Sequence, residues 1–154
     1  YGKEEKIVTV LEKLRTWLQT FPGNNRLSSL QVDYYETEPG NGSIAPAGLI
    51  EINRRTDILG NVTVEKQYNF GLFYTFTKAT DDDDGSTQNA DWLISLQEWV
   101  QEQSIKRLAP VFGDVPEEEQ IKAQNGCIND VSEEGVAEYM VQLSVNFKKI
   151  YEVN

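Results

Sequence analysis

The chain has 154 residues, one cysteine, no histidine and a formal net charge of −11, from 25 acidic and 14 basic residues. The length fits one domain, residues 1–154. The absence of histidine excludes a catalytic triad and a histidine-based acid–base pair, and leaves a zinc ion only carboxylates and Cys127 as ligands. The acidic balance disfavours nucleic acid and anionic membrane as partners, and no run approaches the roughly 20 apolar residues that cross a bilayer.

The first third of the chain predicts one helix and two strands. Residues 3–20 carry apolar side chains at helical spacing, and the Pro-Gly-Asn-Asn segment at 22–25 ends that helix. Alternating apolar residues predict a strand around 30–34 and a second strand over 49–54. The segment between them, Glu38–Gly48, is rich in glycine and proline and predicts a flexible loop.

Two long stretches alternate apolar and polar residues over 62–76 and over 139–147, the second running on towards Val153. This alternation predicts a sheet with one buried face. A strand of the first length would span about 50 Å, whereas a compact chain of this size is only about 40 Å across. The strand therefore either breaks at Gly71 or projects beyond the body, where its edges would be free to pair with a partner.

The second helix is expected after an acidic connection over 78–91. Asn89 or Asp91 would cap it, and nearby carboxylates would suit its positive N-terminal end. Its apolar face consists of Trp92, Leu93, Leu96, Trp99 and Val100.

The last third predicts two strands. Residues 121–131 form the first, with an irregularity at Gly126, and Ser132–Gly135 form a turn into the final strand. The resulting order is α-β-β-β-α-β-β. It predicts an α+β fold, with a mainly antiparallel sheet and two amphipathic helices packed on one face.

No motif in the chain predicts a catalytic, cofactor-binding or metal-ligating residue. Asp81–Gly85 partly matches a calcium loop, but the twelfth position would be Asp91 rather than glutamate and a strand precedes it. A solvated acidic loop with at most loose divalent-ion binding fits better. Cys127 has no histidine to activate it, so we interpret it as a structural or incidental thiol. The three tryptophans lie on apolar helical faces and are expected in the core: Trp17, Trp92 and Trp99.

Several segments follow one another in an order that extends over nearly the whole chain. They are the opening helix to Trp17-Leu18, the strand Asn61–Phe76 with its Tyr68-Asn69-Phe70 run, the helix around Asn89–Leu93, the stretch Lys122–Gly126, and the hairpin into Val136–Tyr139. In this order and spacing they resemble the phage minor capsid and tail-terminator-like family of long-tailed phages and prophages of Gram-positive bacteria.

The resemblance implies a non-catalytic virion protein that forms a ring, commonly sixfold, at the head-proximal end of the tail tube. Its partners would be other copies of itself, the tail tube and the head connector proteins, without sequence-specific nucleic acid binding or membrane association. It would be found in the virion, and in the host bacterial cytoplasm during assembly. The two polar loops, Glu38–Gly48 and Asp81–Gly85, would be contact elements, and sheet edges would join the subunits.

Two other functions remain open from the sequence. A soluble protein-binding module outside the virion would be a monomer or dimer with one discrete apolar patch. A small carboxylate or divalent-metal enzyme would need a concave pocket that holds paired acids with raised pKa values.

Overall fold

The computed structural model describes residues 9–27, 29–32, 40–77, 83–131 and 135–153. Two helices and five strands make up the described chain, together with short 3-10 turns at Pro22–Arg26 and Pro116–Glu118. In chain order the elements are α1 (Val10–Leu18), β1 (Ser29–Val32), β2 (Asn41–Thr56), β3 (Val62–Thr77), α2 (Asp83–Ile105), β4 (Gln120–Val131) and β5 (Val136–Tyr151).

The five strands form one sheet in the order β1-β2-β3-β5-β4. β1 runs parallel to β2, whereas the β2–β3, β3–β5 and β4–β5 pairs are antiparallel. The predicted α+β fold with a mainly antiparallel sheet is therefore confirmed. β4 forms one edge of the sheet, and β2 lies next to β1, which forms the other edge.

One face of the sheet forms the core. Alternate residues of β3 lie opposite alternate residues of β5, and these pairs are buried: Phe70 with Leu143, Leu72 with Val141, Tyr74 with Tyr139, and Phe76 with Ala137. Buried side chains of both helices belong to the same cluster, including Leu14 and Trp17 of α1 and Leu96 and Val100 of α2. This is the arrangement expected if both helices pack on that face.

β3 is continuous through Gly71, so the alternative in which the strand breaks there is wrong. Gly71 pairs with Ala45 on one side and Gln142 on the other. A Cβ atom at this position would lie 2.9 Å from the Phe73 ring, so glycine makes room for the ring rather than ending the strand. The far end of the β2–β3 hairpin lies outside the core, since every residue from Pro46 to Leu59 is exposed.

The predicted loop Glu38–Gly48 is largely a strand. Residues 38 and 39 lie outside the described residues, and Asn41 begins β2, which is longer than the predicted 49–54. Gly42 is buried, and a Cβ there would lie 3.0 Å from Leu30 and 3.2 Å from Tyr74. Pro46 stands next to a register shift between Pro46 and Gly48, a bulge that tolerates proline. Gly42 thus allows close packing and Pro46 occupies a bulge. The loop prediction was wrong because these residue types also occur in strands for those reasons.

The helix ends also differ from the sequence prediction. α1 begins at Val10, where the Thr9 hydroxyl accepts a hydrogen bond from the Glu12 N–H at 3.2 Å. Residues 3–8 of the predicted helix, like Tyr34 of the first predicted strand, lie outside the described residues. α2 begins at Asp83, so the predicted cap at Asn89 or Asp91 is wrong and residues 83–85 of the acidic loop are helical.

Asn89 was expected to cap α2 but is buried within it, where tertiary hydrogen bonds satisfy its amide. Its Oδ1 accepts from Arg26 Nη2 at 2.7 Å, and its Nδ2 lies 3.3 Å from both the Thr77 carbonyl and the Tyr139 hydroxyl.

The predicted irregularity near Gly126 is confirmed by a register shift between Gln124 and Cys127. Of the predicted turn at 132–135, only Gly135 is described.

Candidate interaction surfaces

The most exposed apolar surface lies on the outer part of the β2–β3 hairpin, residues 48–61, which we name the hairpin arm. Five large apolar side chains of the arm are between 47% and 102% exposed: Leu49, Ile50, Ile52, Ile58 and Leu59. β1 pairs only with Asn41–Ile44, so among the described residues no strand covers the outer edge of the arm. An unpaired strand edge that carries apolar side chains is a surface suited to association.

The tip of the arm is held in one conformation. Asp57 Oδ1 accepts hydrogen bonds from the N–H groups of Leu59 and Asn61 at 2.9 and 3.0 Å. The Gly60 N–H donates to the Asp57 carbonyl at 3.1 Å, and Gly60 has a φ of 88°, which glycine adopts readily. The turn therefore displays Ile58 and Leu59 outward at little further cost in conformational entropy.

The arm carries two arginines and one internal ion pair. The register shift between Glu51 and Asn53 brings Arg54 to the same side as Glu51, and Arg54 Nη2 lies 2.7 Å from Glu51 Oε1. Arg55 has no ion-pair partner among the described residues. With Glu51 and Asp57 against Arg54 and Arg55, the arm carries no net charge, in a chain whose net charge is −11.

The opposite edge of the sheet, β4, is protected by α2. Gln97 Nε2 donates to the Ala123 carbonyl at 3.3 Å, and the Ser104 hydroxyl accepts from the Ile121 N–H at 3.1 Å. A Cβ atom on Gly126 would lie 2.6 Å from Gln97 Oε1, so glycine permits this close approach. Side chains of α2 therefore occupy backbone groups of β4 that could otherwise pair with another strand.

A groove of about 350 Å³ runs between α2 and β4, and we name it the α2–β4 groove. Glu98, Gln101 and Ile105 of α2 line one wall, and residues 120–124 of β4 line the other. Ile105 is 72% exposed at the end of the helix. The groove thus combines apolar surface with one carboxylate, that of Glu98, and one amino group, that of Lys122.

α2 is acidic and has no basic residue from Asp83 to Ile105. Glu102 pairs with Lys106 at 2.5 Å, beyond the end of the helix. Asp91 and Glu98 are exposed and have no ion-pair partner among the described residues. The charged side chains of α2 are therefore all acidic.

The sheet face opposite the core contains a cavity of about 450 Å³. Amides dominate its polar lining, namely Gln67, Asn69, Gln124 and Gln142, and Phe73 and Met140 add apolar surface. Two amides are held by hydrogen bonds, Gln67 to Asn146 at 2.9 Å and Asn125 to Gln142 at 2.7 Å. No ionisable side chain lines this cavity, so it offers hydrogen bonds and apolar contact but no general acid or base.

The remaining residues from the sequence analysis do not converge on a chemical site. Cys127 is exposed on β4. Trp17 and Trp92 are buried and Trp99 packs against the core, with Trp17 and Trp99 stacked at 4.9 Å, so the tryptophans are core residues as predicted. Residues 81 and 82 lie outside the described residues. In the part of the chain that is described, no group of three or more Cys, Asp or Glu side chains is arranged to hold a metal ion.

Burial raises the pKa of the Tyr74 phenol, which faces the core rather than a cavity. None of the helices in the described ranges is long and apolar enough to span a membrane.

Neither the hairpin arm nor the α2–β4 groove was identified residue by residue from the sequence. The sequence prediction of a β3 that projects with free edges is wrong, because β3 pairs with β5 from Val62 to Thr77 and with β2 on its other side. The groove depends on tertiary packing.

Comparison of the chain with models of known protein families finds no match. Comparison with curated proteins finds no match either. The function is therefore argued from the surfaces described above.

Proposed function

We propose that this chain is a non-catalytic phage virion protein, a tail terminator or head–tail joining protein that forms a ring at the head-proximal end of the tail tube. The observation that carries the proposal is the hairpin arm, whose outer edge no described strand covers and whose apolar side chains are exposed. A monomer that worked alone would gain nothing from this surface and would risk aggregation through it. Assembly would cover it.

A ring requires two different surfaces on every subunit, because each copy contacts one neighbour with one surface and the other neighbour with the second. This chain has two distinct candidates on opposite sides of its sheet. One is the hairpin arm, which includes the outer part of β2, and the other is the α2–β4 groove. Their difference supports a cyclic arrangement, commonly sixfold in the family that the sequence resembles.

The proposed activity is association rather than catalysis. One side of the ring would match the last ring of tube subunits and the other would match the head connector. The net charge of −11 supports this function, because a lumen that passes DNA should repel the phosphate backbone rather than bind it. The protein would act in the virion, after assembly in the host bacterial cytoplasm.

The amide-lined cavity favours a second candidate function, a soluble binding module outside the virion. A concave surface of about 450 Å³ with fixed amides and two apolar side chains could recognise an uncharged partner. This function would not require self-association. It therefore differs from the ring in a property that is measured directly.

Sedimentation velocity over a concentration series, with and without magnesium, tests the proposal. We expect a discrete species near six times 17.5 kDa. Assembly only with magnesium would show that acidic surfaces repel one another between subunits. Electron microscopy of headless tail tubes mixed with the protein should then show a cap at one end only, with tubes alone as the control. A chain that stays monomeric and leaves both tube ends bare would contradict the proposed function.

A further inference from the structure

We infer that the amide-lined cavity, on the sheet face opposite the core, is a binding site for a neutral saccharide, a sugar without carboxylate, phosphate or sulfate groups. The cavity has a volume of about 450 Å³, within the range of about 300–1,000 Å³ that is typical of small-molecule sites. All of its lining residues belong to one chain. The site therefore stands apart from the proposed ring, and a single subunit contains all of it.

The cavity lies along one row of residues that crosses four strands. Ala45 of β2 pairs with Gly71 of β3, which also pairs with Gln142 of β5. Gln142 pairs in turn with Gln124 of β4. Residues that pair directly across strands point to the same face of a sheet, and the rows on either side carry the buried pairs of the core. This row therefore faces away from the core.

Two bulges and one glycine shape the cavity. β2 has a register shift between Pro46 and Gly48, and β4 has one directly after Gln124. A bulge bends the strand that contains it, so both flanking strands bend beside the cavity. Gly71 stands in the middle of the row, where a Cβ atom would lie 2.9 Å from the Phe73 ring. The fold thus leaves space at the centre of the row that a larger residue would occupy.

The amides of the cavity are held in place before any ligand arrives. Gln67 Nε2 donates to Asn146 Oδ1 at 2.9 Å, and Gln142 Oε1 accepts from Asn125 Nδ2 at 2.7 Å. Within the described ranges, the Gln67 oxygen and the Gln142 N–H groups have no further partner. A ligand would therefore meet one acceptor and two donors whose side chains are already ordered, which lowers the entropic cost of binding.

The lining matches an uncharged ligand. None of the residues that line the cavity is ionisable, so an anionic ligand would find no cation and a cationic ligand no carboxylate with which to pair. The net charge of −11 adds a general repulsion of anions. Nucleotides and phospholipid head groups carry phosphate and do not match such a site.

Among uncharged ligands, a saccharide matches both the polar and the apolar lining. A sugar hydroxyl both donates and accepts hydrogen bonds, as a side-chain amide does, so neighbouring hydroxyls can bond to the held amides. The C–H groups of a sugar ring form apolar faces, which suit the Phe73 ring and Met140. A peptide, in contrast, presents its backbone groups best to the edge of a sheet, where it adds a strand, rather than to side chains on a face.

A nuclear magnetic resonance titration of the isotope-labelled chain tests the inference, because the side-chain NH₂ groups of asparagine and glutamine give their own signals. The probes are maltotriose, cellotriose, mannotriose and chitotriose, and trigalacturonate is the charged control. We expect at least one neutral trisaccharide to bind with a Kd of about 1 mM or tighter. Binding should shift the NH₂ signals of Gln67 and Gln142, and trigalacturonate should leave them unchanged.

Two variants remove amides from the cavity while keeping similar side-chain volume. Asn69→Leu and Gln142→Met should each weaken binding of that trisaccharide about 2- to 10-fold, the effect of losing one hydrogen bond. Gln101→Met is the matched control, since Gln101 is an exposed glutamine on α2 that does not line the cavity. It should bind as the wild type does. Urea unfolding of all three variants checks that they fold.

Several results would overturn the inference. One is the absence of any shift with all four neutral trisaccharides, and another is binding that shifts signals only outside the cavity. A third is equal binding by the wild type and by both cavity variants. A fourth is a response to the capped peptide acetyl-Ala-Ala-Ala-amide and to none of the sugars, which would assign the cavity to peptides.

The same variants separate this inference from the proposed function. Asn69→Leu and Gln142→Met should sediment as the wild type does and should cap tail tubes equally well, since they change the cavity alone. A chain that caps tubes and binds none of the sugars would remove only the saccharide site. A chain that binds a neutral trisaccharide in the cavity, yet stays monomeric and leaves tube ends bare, would support the site and remove only the terminator function.

Discussion

Replacing the buried Asn89 with alanine should destabilise the fold strongly, because its amide joins α2 to three other parts of the chain. Asn89 is only 1% exposed. It accepts from the Arg26 guanidinium at 2.7 Å and its Nδ2 is 3.3 Å from both the Thr77 carbonyl and the Tyr139 hydroxyl.

The expected magnitude follows from these three contacts. A hydrogen bond to a charged group contributes about 1.5–3 kcal/mol and a neutral one about 0.5–1.5 kcal/mol. The two longer contacts of Asn89 belong at the lower end of the neutral range, so the loss of all three contacts together is about 2.5–4 kcal/mol. Alanine recovers up to about 0.7 kcal/mol through its higher helix propensity. The net loss of about 2–3 kcal/mol is a large part of the roughly 5–15 kcal/mol that stabilise a domain.

Equilibrium unfolding in urea, followed by tryptophan fluorescence, measures this loss. Gln88→Ala is the matched control, since Gln88 is the exposed neighbour of Asn89 on the same helix and should change stability by no more than about 0.5 kcal/mol. Asn89→Asp should fall between the control and Asn89→Ala, because a carboxylate still accepts from Arg26 but cannot donate. If Asn89→Ala costs less than about 1 kcal/mol, the three hydrogen bonds do not carry the anchorage that we assign to them.

Three further predictions concern the packing around this core. Gly113→Ala should lower the free energy of unfolding in urea several times more than Gly60→Ala. A Cβ atom on Gly113 would lie 2.3 Å from the Lys148 carbonyl oxygen, whereas a Cβ atom on Gly60 would have no atom within 4 Å. At Gly60 the only cost to alanine is its φ of 88°, about 1–2 kcal/mol. Equal losses would contradict the steric argument. Glu119→Ala should cost about 1–3 kcal/mol, because the Glu119 carboxylate accepts from the N–H groups of Phe112 and Gly113 at 2.8 and 2.9 Å, and amide hydrogen exchange at these two groups should accelerate. Burial raises the pKa of Tyr74 above its usual 10.0, so the stability held by its neutral phenol is complete below pH 10.0 and declines above it. Between about pH 9 and pH 11, the Tyr74→Phe variant should therefore lose less stability than the wild type. Equal slopes of unfolding free energy against pH for the two proteins would refute this.

Hydrophobic periodicity was sufficient to predict the centre of the sheet. β3 and β5 alternate over 16 residues each, and their buried apolar residues lie on one face as the sequence indicates. A one-residue shift of either strand would expose the whole apolar set, so the pattern specifies the register strongly. The tryptophans were predicted to lie in the core for the same reason, because they occur on the apolar stripes of the two helices.

The errors fall where local composition and tertiary packing favour different structures. Gly42 and Pro46 are typical of a loop, yet Gly42 lies under Leu30 and Tyr74, and Pro46 stands at a bulge. Asn89 is typical of a helix cap, yet its amide bonds to residues that are 12, 50 and 63 positions away in the chain. Such contacts cannot be read from spacing, because they depend on which elements meet after folding.

The two edges of the sheet differ, and this difference is the main argument for directional assembly. At β4, Gln97 and Ser104 occupy backbone groups that a foreign strand would need, which is how monomeric sheets avoid aggregation. At β2, the same sheet leaves the strand uncovered beyond Ile44 among the described residues, and adds Leu49, Ile50 and Ile52 to the exposed surface. If both edges were open, copies could pair edge to edge in several registers and form irregular aggregates. Because Gln97 and Ser104 close one edge, strand pairing with a second copy could use only the open edge of β2, which limits the number of contacts that such pairing can form.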